Sequence, residues 1–335
     1  MLVSTESIRE TAEQLLVDQG VSLWNARVQA DLLIEAELRG LPSHGLQRLP
    51  RLVARLRGGL AHPTSSGIGT WIRSGFLSVD GKRGLGPVVM MQAIEQLSQV
   101  VTEHGIALAG IRNTNHIGML AYYAEVAASR GLIAIILTTS EALVHPFGGT
   151  EAMLGTNPIA IGIPTTAEPF ILDLATSRVS MGKIHHYALT GDPIPDGWAV
   201  DAQGHRTNDP EAAKSGAIAP FGDDAKGYGL GLGIELLVAA LAGSAFAPDV
   251  RGTLDATEIA NKGDVIVMID PTAEENRAAG LTTYLQRLRA SRPTDPSRPV
   301  AVPGDGMRAR RAHALSTGID LPEPLHNEIQ ALTQG

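Results

Sequence analysis

The chain has 335 residues, of which 44% are hydrophobic and 19% charged, and this is the composition of an ordinary globular protein. Its formal net charge of −8 and the lack of a long basic segment argue against nucleic acid as a partner, because neutralising phosphates needs clustered Lys and Arg. The sequence has no cysteine, which excludes disulfides, thiolate nucleophiles and cysteine-ligated metals and favours a cytoplasmic location. The N-terminal residues lack the pattern of a signal peptide, and no apolar run reaches the ~20 residues that span a bilayer, so no membrane association is expected.

Three short helices are predicted over residues 1–60. Apolar side chains recur there at helical spacing, in the segments 8–16, 26–38 and 46–56. Ser22 suits the N-cap of the second helix, and the pair Gly58-Gly59 ends the third. Between these two helices lies a polar elbow with the sequence PSHG, residues 42–45.

An α/β layer is predicted in the middle of the chain, where apolar runs alternate with helical patterns. A helix begins at Pro87 and ends at His104 and Gly105. The predicted strands are 106–111, 132–138, 159–163, 170–175 and 264–270, and a helix between the first two covers 119–129. Further predictions are turns or a hairpin over 191–210, a buried helix over 230–247, and a loop over 291–306 before short C-terminal helices.

Common catalytic and nucleotide-binding motifs are missing. The glycine-rich segment 227–233 has the wrong spacing for the GxGxxG fingerprint of Rossmann dehydrogenases and lacks a preceding apolar strand. The sequence also contains no P-loop, no HExxH and no GxSxG elbow. The pair His185 and His186 has no histidine or carboxylate three or four residues away, so no metal site is predicted there or at His145. By motif alone, a hydrolase and a plain binding module both remain open.

The elbow PSHGLQR, residues 42–48, is the first candidate for a binding site. Ser43 and His44 lie just before a helix, where free backbone N–H groups favour an anion. Arg48 follows one helical turn after His44, so both can face one cavity, and arginine is suited to a bidentate grip on a carboxylate. In the alternative interpretation, Ser43 merely caps the helix and Arg48 is a solvated surface residue.

The turn RNTNHIG, residues 112–118, follows a predicted strand and precedes a predicted helix. Ligands of α/β sheets bind at such strand ends, and His116 is a candidate acid–base group there. Alternatively, Asn113 and Asn115 only stabilise the turn and His116 is incidental.

Three further segments are rich in small polar groups or begin a helix with a lysine, and these features suit a phosphate, a ribose or a carboxylate. They are GTNP (155–158), DLATS (173–177) and AKGYG (225–229), the last with Lys226 at the opening of an apolar helix. Turn and cap chemistry is the favoured explanation for each of the first two alone, and a plain surface lysine is the alternative for the third.

Taken together, these segments resemble a known family over nearly the whole chain. The elbow and NTNHIG are followed in order by HPFGG (145–149), LGTNPIAIGIP (154–164), ILDLATS (171–177), GKI (182–184), PDGWAVDAQGHRTNDP (195–210), AKGYGLGLGIELL (225–237) and VPGDG (302–306). The pattern is similar to that of the second malate/L-lactate dehydrogenase family, which is unrelated to the Rossmann dehydrogenases. Its members include malate, lactate, sulfolactate, ureidoglycolate and diketogulonate dehydrogenases and cyclic ketimine reductases. Segments 180–188 and 252–270 resemble the sulfolactate dehydrogenase branch most.

The resemblance implies an α/β, non-Rossmann NAD(P)-binding fold with a mixed central sheet and flanking helices from both chain ends. Residues 1–75 with 300–335 would form a helical region for substrate and dimer contacts, and residues 76–299 a cofactor-binding mixed-sheet region. The whole chain would be one family unit and a homodimer with sites near the subunit interface. The cofactor would be NAD or NADP.

The resemblance also implies roles for individual residues. Ser43, His44 and Arg48 match the family's substrate and proton-relay elbow, and Thr156 matches a substrate contact. His116 matches a histidine that acts as acid or base in some branches. The implied cofactor contacts are Gly118, Leu120, Asp173, Ala175, Thr176, Ser177, Lys226, Gly304, Asp305 and Gly306.

Of the two candidate proton carriers, His44 and His116, we favour His44. The Ser43 hydroxyl can fix the tautomer of His44, and the charge of Arg48 can keep its ring neutral and ready to accept a proton. The amide neighbours of His116 are expected to orient its ring without tuning its pKa.

Two positions depart from the family pattern. Ser140 stands where some branches carry a cofactor-contacting lysine. Asp223 and Asp224 stand where the family usually has two glycines and one residue fewer, which predicts an insertion in a loop beside the nicotinamide site.

The expected reaction interconverts a small 2-hydroxy acid and its 2-oxo acid with NAD(P), without a metal. Arg48 would bind the substrate carboxylate, a histidine would take the hydroxyl proton, and the hydride would pass between C2 and the nicotinamide. Cyclic ketimine reduction is the closest rival, because the same machinery can protonate an imine nitrogen. A non-catalytic small-molecule-binding protein is the rival from another class, favoured if the altered 220–229 loop closes the cofactor site, and a hydrolase survives only if no nicotinamide binds.

Overall fold

The computed structural model describes residues 1–222, 224–271 and 275–334. The helices of this part of the chain are α1 (Thr5–Asp18), α2 (Leu23–Leu38), α3 (Leu49–Arg57), α4 (Gly86–His104), α5 (Leu120–Ser129), α6 (Met181–Thr190), α7 (Pro210–Lys214), α8 (Ala225–Ala242), α9 (Glu275–Arg289), α10 (Asp305–Thr317) and α11 (Glu323–Leu332). The three helices predicted near the N-terminus correspond to α1, α2 and α3. Ser22 caps α2 as predicted, because its side chain accepts the backbone N–H of Asn25.

Seven of the strands form one mixed sheet in the order β2-β3-β4-β11-β5-β6-β7. The pair β3–β4 is parallel and the other neighbours are antiparallel. The strands are β1 (Leu2–Val3), β2 (Ile68–Arg73), β3 (Phe76–Asp80), β4 (Ile106–Arg112), β5 (Ile133–Thr138), β6 (Ile159–Ile163), β7 (Phe170–Leu174), β8 (Ala199–Val200), β9 (Arg206–Thr207), β10 (Ala217–Ile218), β11 (Gly263–Ile269) and β12 (Ile319–Asp320). The α/β class and the mixed central sheet are therefore confirmed.

The five predicted strands correspond to β4, β5, β6, β7 and β11. β4, α5 and β5 form the predicted strand–helix–strand unit, and β11 lies between the two strands, antiparallel to both. The segment 191–210 contains the antiparallel pair β8–β9, and β10 completes a small three-stranded sheet. The loop predicted over 291–306 is observed as far as 304, and its last two residues, Asp305 and Gly306, already belong to α10.

Alternating side chains of the main sheet face two different layers of helices. Ile136 and Ile266 pack with α4 and α5 in the largest core, whereas Leu137 and Val265 pack against α8. This follows from the two-residue period of a strand. The mixed sheet is thereby covered on both faces.

The two ends of the chain meet in a second core. β1 pairs with β12, and Ile319 and Ile329 are buried among the apolar side chains of α1, α2 and α3. β2, which precedes the expected boundary at residue 75, pairs with β3 in the main sheet. Helices from both chain ends therefore flank the sheet.

The helix expected over 230–247 differs from the prediction in bounds and in burial. α8 starts at Ala225 and ends at Ala242, where Gly243 adopts a left-handed conformation with φ +68°. By length and composition alone this helix could cross a membrane, but 33% of it is buried against the rest of the protein. Its other face exposes Leu230, Leu236 and Leu237, so α8 is only partly buried.

Candidate active site

The elbow 42–48 is held in place by α2. It consists of two short 3-10 turns, Pro42–His44 and Leu46–Arg48, and α3 begins at the next residue. Glu37 of α2 accepts the backbone N–H of Leu46 at 2.6 Å. A side chain at Gly45 would overlap with the Glu37 carboxyl group, so the glycine allows this close approach. Burial raises the pKa of Glu37 to about 7.

His44 carries a buried nitrogen without a protein partner. Its Nδ1 forms no hydrogen bond with any residue of the described segments, so the Ser43 hydroxyl does not fix the tautomer there, and that expectation is corrected. The ring stacks on the ring of His116, with centroids 5.4 Å apart and an interplanar angle of 16°. Burial, and then the charge of Arg48, lower the pKa of His44 to about 4. The ring is therefore neutral at physiological pH, as expected, although burial is the larger cause.

The turn that carries His116 is anchored by backbone groups. The Nδ1 atom of His116 accepts the backbone N–H of Gly118 at 3.0 Å, which places the hydrogen of a neutral ring on Nε2. Asn115 donates to the carbonyls of Arg83 and Gly84 at 2.8 and 3.0 Å. The amide neighbour thus orients the turn, as the sequence predicts.

The pKa of His116 is tuned by groups other than its amide neighbours. Burial, and then the charges of Arg48, His44 and Lys262, hold its pKa well below the usual value. These charges come from the elbow and from the segment before β11, not from the turn itself. Both histidines are therefore neutral in this site.

Arg48 is fixed by two protein carbonyls. Its Nε donates to Ser43 at 2.8 Å and its Nη1 to Thr253 at 3.0 Å, while Nη2 has no hydrogen bond to a described residue. Burial, and then Arg51, lower the pKa of Arg48 to about 10, so the side chain remains cationic. The alternative of a solvated surface arginine does not hold, and Nη2 is available for a ligand.

A cavity of about 690 Å³, which we call the large cavity, opens beside the elbow. It is lined by residues of the elbow, β7, the start of α6, the 301–304 segment and the start of α10. Of the predicted site residues it brings together Ser43, His44, Arg48, His116, Thr156, Asp173, Ala175, Gly304 and Gly306. The separate motifs of the sequence thus converge on one place.

The residues of the large cavity fit a nicotinamide dinucleotide. Its volume is within the range of ~300–1,000 Å³ typical of ligand pockets. Apolar side chains such as Leu172 and Met307 line it and can pack against flat rings. No side chain caps the N-terminus of α10, where Gly304 with φ +98° lies at the cavity, so backbone N–H groups there can meet a phosphate.

Six of the implied cofactor contacts do not line the large cavity. They are Gly118, Leu120, Thr176, Ser177, Lys226 and Asp305. Gly118 and Leu120 are buried at the start of α5, where Asp173 accepts the backbone N–H of Ala121 at 2.8 Å. Burial raises the pKa of Asp173 to about 6.

Two of these six residues, Thr176 and Ser177, stabilise turns. The Thr176 hydroxyl donates to the carbonyls of Thr156 and Asn157, and that of Ser177 donates to Val179. This is the turn chemistry that the sequence left as the alternative for DLATS.

The other two, Asp305 and Lys226, form ion pairs. Asp305 pairs with Arg289 and Arg308 at 2.8 and 2.7 Å. Lys226 has 88% of its side chain exposed and pairs with Asp224 at 2.9 Å.

The two departures from the family pattern have local explanations. Ser140 lines the large cavity and accepts the backbone N–H of Thr156 at 3.1 Å, so it positions the GTNP turn. Asp224 caps α8 by accepting the backbone N–H of Lys226 at 2.8 Å. Asp223 lies outside the described residues.

Sequence reasoning missed the residues on the far side of the elbow. A second, smaller cavity is lined there by Arg51, Arg55 and Thr253 together with Arg48 and both histidines. The only signal in the sequence was the spacing of Arg48, Arg51 and Arg55, which share one helical face. Across the described segments, no group of three or more histidines and carboxylates could hold a metal ion.

Comparison with known proteins identifies the fold. A dehydrogenase from Sinorhizobium meliloti of known structure is 63% identical, with a TM-score of 0.96 over 99% of this chain and 98% of that one. Sulfolactate dehydrogenase from Methanocaldococcus jannaschii is 32% identical, with a TM-score of 0.94 over 100% of this chain and 97% of that one. The chain therefore has a dehydrogenase fold that differs from the Rossmann fold in its mixed strand order.

Sequence comparison places the chain in a family. The family model described as malate/L-lactate dehydrogenase matches residues 3–330, so the protein belongs to this family, as the resemblance implied. The malate/(S)-sulfolactate dehydrogenase of Methanothermus fervidus is 32% identical over 99% of this chain and 97% of its own length. Proteins named (2R)-3-sulfolactate dehydrogenase (NADP(+)), from Chromohalobacter salexigens, and Delta(1)-pyrroline-2-carboxylate reductase 2, from Burkholderia multivorans, are each also 32% identical, over 98% and 99% of this chain.

Proposed function

We propose that this protein is an NAD(P)-dependent dehydrogenase that interconverts a small 2-hydroxy acid of the malate, lactate or sulfolactate type and its 2-oxo acid. The class of enzyme follows from the family match over residues 3–330 and from relatives named malate and sulfolactate dehydrogenase. The roles of individual residues are our assignment. The observation that carries it is the neutral, unpartnered His44 beside the cationic Arg48, both facing a cavity of dinucleotide size.

Arg48 binds the carboxylate of the substrate. Two of its nitrogens are held by backbone carbonyls, so the guanidinium is fixed in orientation before the ligand arrives. A charged hydrogen bond from Nη2 then places C2 of the substrate next to the two histidines. Thr156 and Ser43 line the same cavity and are the further substrate contacts that we propose.

His44 carries the proton. In the direction of oxidation its free Nδ1 accepts the proton of the C2 hydroxyl, and in the direction of reduction it returns this proton to the 2-oxo group. The substrate's negative charge offsets the effect of Arg48 and moves the pKa of His44 back towards its usual value. His116 cannot accept a proton on Nδ1 while Gly118 donates to it, so we assign its Nε2–H to orienting the substrate oxygen.

The bound nicotinamide supplies or takes the hydride. Asp173, Ala175, Gly304 and Gly306 line the large cavity, and we propose that they hold NAD or NADP. Of the remaining cofactor contacts implied by the resemblance, Thr176 and Asp305 hydrogen-bond to Thr156 and Val302, which line this cavity, and we propose that they shape its walls.

A substrate screen tests the proposal. Titration with NADH or NADPH is expected to quench the fluorescence of the purified protein. The protein is expected to oxidise the reduced cofactor with pyruvate, oxaloacetate, sulfopyruvate or 2-oxoglutarate, and to keep its full activity after dialysis against EDTA. Turnover of piperideine-2-carboxylate alone would favour the ketimine reductase alternative. Absence of both quenching and turnover would leave a binding protein or a hydrolase and contradict the proposal.

We further propose a cytoplasmic homodimer. The exposed face of α8 presents Leu230, Leu236 and Leu237, and burying such side chains against a second copy is favourable. Sedimentation equilibrium is expected to give twice the mass of the chain, and Leu236→Asp is expected to shift the protein towards the monomer. A wild-type monomer at micromolar concentration would contradict this proposal.

A further inference from the structure

The smaller cavity beside the elbow, which we call the arginine chamber, carries an excess of positive charge. Arg48, Arg51 and Arg55 all line it, and they lie on the elbow and one face of α3 because residues i, i+3 and i+7 of a helix share a face. In the described part of the chain, no salt bridge joins any of the three to a carboxylate.

The two carboxylates near the chamber form no hydrogen bond with its arginines. Oε1 of Glu141 accepts the backbone N–H groups of Thr253 and Leu254 at 2.7 and 3.1 Å, and its Oε2 is buried without a hydrogen-bond partner among the described residues. Asp255 accepts backbone N–H groups of its own turn, including those of Thr257 and Glu258. Glu141 acts at a distance on both Arg48 and Arg55, whereas Asp255 acts on Arg55, so the three guanidinium groups outnumber the carboxylates near them. A further anion would lower the electrostatic energy of the chamber.

Arg55 has a nitrogen left over for such an anion. The side chain is only 4% exposed, its Nε donates to Asn115 at 2.8 Å, and its Nη1 donates to the carbonyls of Asp255 and Glu258. Its Nη2 is buried and has no hydrogen-bond partner among the described residues. Leaving a buried charged donor unpaired is costly, so its presence here points to a missing partner. The buried hydroxyl of Thr253 is also without a partner.

The chamber has the size of one small anionic group. Its volume is about 40 Å³, and since one ordered water needs roughly 10–15 Å³ of such space, the chamber holds about three heavy atoms. A carboxylate has three heavy atoms and a sulfonate has four. His44, Arg48, His116 and Thr253 line both the chamber and the large cavity, so a group in the chamber can be part of a substrate whose reacting carbon lies between the histidines.

We infer that the substrate carries a second anionic group, a carboxylate or a sulfonate, which Arg51 and Arg55 bind in the arginine chamber while Arg48 binds the first carboxylate. This inference rests on the proposed function and narrows its substrate to dianionic 2-hydroxy and 2-oxo acids. Arg51 and Arg55 are then the residues that determine specificity. Monoanionic substrates such as lactate or a cyclic ketimine leave the Arg55 nitrogen unpaired and are poor substrates.

The test compares substrates of similar length that differ in the second charge. For the wild type, kcat/KM with oxaloacetate or sulfopyruvate is expected to exceed that with pyruvate or 2-oxobutyrate by at least tenfold. Arg51→Gln and Arg55→Gln are each expected to reduce this ratio by about tenfold or more, with a much smaller change in kcat/KM for pyruvate. Arg57→Gln is the matched control, because Arg57 lies on the same helix but donates to Gln19 outside the chamber. The ratio of kcat/KM for dianionic over monoanionic substrates should be the same in this variant as in the wild type.

The outcomes separate the inference from the proposed function. Equal kcat/KM for dianionic and monoanionic substrates in the wild type, or an unchanged ratio in Arg51→Gln, would overturn the inference while leaving a 2-hydroxy acid dehydrogenase. No turnover of any 2-oxo acid would overturn the proposed function itself. Arg55 also anchors the 255–258 turn, so Arg55→Gln can fail to fold. In that case Arg51→Gln tests the inference, because Arg51 is exposed and forms no hydrogen bond in the described structure that the substitution would remove.

Discussion

The arginine chamber and the large cavity lie on two sides of the same pair of histidines but are built differently. The chamber is small and is lined by three arginines beside apolar side chains such as Leu33 and Leu52, and hydrogen bonds fix Arg48 and Arg55. The large cavity is walled mainly by strand edges, glycines and apolar side chains. We infer from this difference that individual arginines select the anionic group that binds in the chamber, whereas the shape of the backbone determines what binds in the large cavity. Substitutions on the two sides should therefore change different measured quantities.

Arg48 provides the strongest test of this comparison. Truncating one side of a buried charged hydrogen bond costs about 2–5 kcal/mol, so Arg48→Ala should lower kcat/KM by about 30-fold to several thousandfold. NAD(P)H affinity, measured by fluorescence quenching, should change little, because the proposed role of Arg48 is to bind the substrate carboxylate while its Nε and Nη1 stay bonded to Ser43 and Thr253. A collapse of cofactor binding would instead place Arg48 in the cofactor site.

The two histidines line both cavities, so replacing each of them tests which one carries the proton. His44→Ala should lower kcat by about 10²-fold or more and remove the acidic limb of the pH–rate profile, since its free Nδ1 is the proton acceptor. His116→Ala should lower the rate less and keep that limb. If only His116→Ala loses the limb, the two roles are exchanged and His44 positions the substrate.

Asp173 tests the large-cavity side, where the expected effect is on stability. Its folded-state pKa of about 6 lies above the usual value of 3.8, so its contribution to stability is full below about pH 4 and is lost as the pH rises through about 6. At one pK unit per 1.36 kcal/mol, this loss is at most about 3 kcal/mol. Asp173→Asn can still accept the N–H of Ala121 but does not titrate.

The free energies of unfolding of the wild type and of Asp173→Asn, measured in denaturant from pH 4 to pH 8, should show this loss. The variant is expected to gain stability relative to the wild type as the pH rises, and the difference should level off above about pH 7. A difference that does not depend on pH would show that Asp173 does not titrate in this range.

Lys226 should give the smallest effect. Its side chain is 88% exposed and paired with Asp224. Exposed ion pairs contribute about 0–1 kcal/mol, so Lys226→Ala should change the free energy of unfolding by at most about 1 kcal/mol. Its NAD(P)H affinity is expected to fall by less than tenfold, because the lysine does not line the large cavity. A tenfold or greater loss would support the cofactor contact that the family resemblance implies.

Most elements of the fold, and the candidate residues that line the two cavities at the elbow, could be predicted from the sequence. The periods of apolar residues predicted α1 to α3 and the five strands because these patterns reflect local geometry. The motifs identified Ser43, His44, Arg48 and His116, since these residues lie in short segments whose order is distinctive. The bounds and burial of α8 were missed because a helix that is apolar all round gives no sign of which face is covered.

The pKa values and hydrogen bonds of these residues depend on the tertiary structure and could not be predicted from the sequence. The Nδ1 atom of His44 has no bond to Ser43, and the pKa of His116 is lowered by charges from other segments. Glu37 and Thr253 reach the elbow from 9 and 205 residues away in the chain. The arginine chamber exists because α3, the 113–116 turn and the 252–258 loop meet there. Burial and electrostatic interactions depend on distances in space, and contacts between segments far apart in the chain leave no periodic or local signal in the sequence.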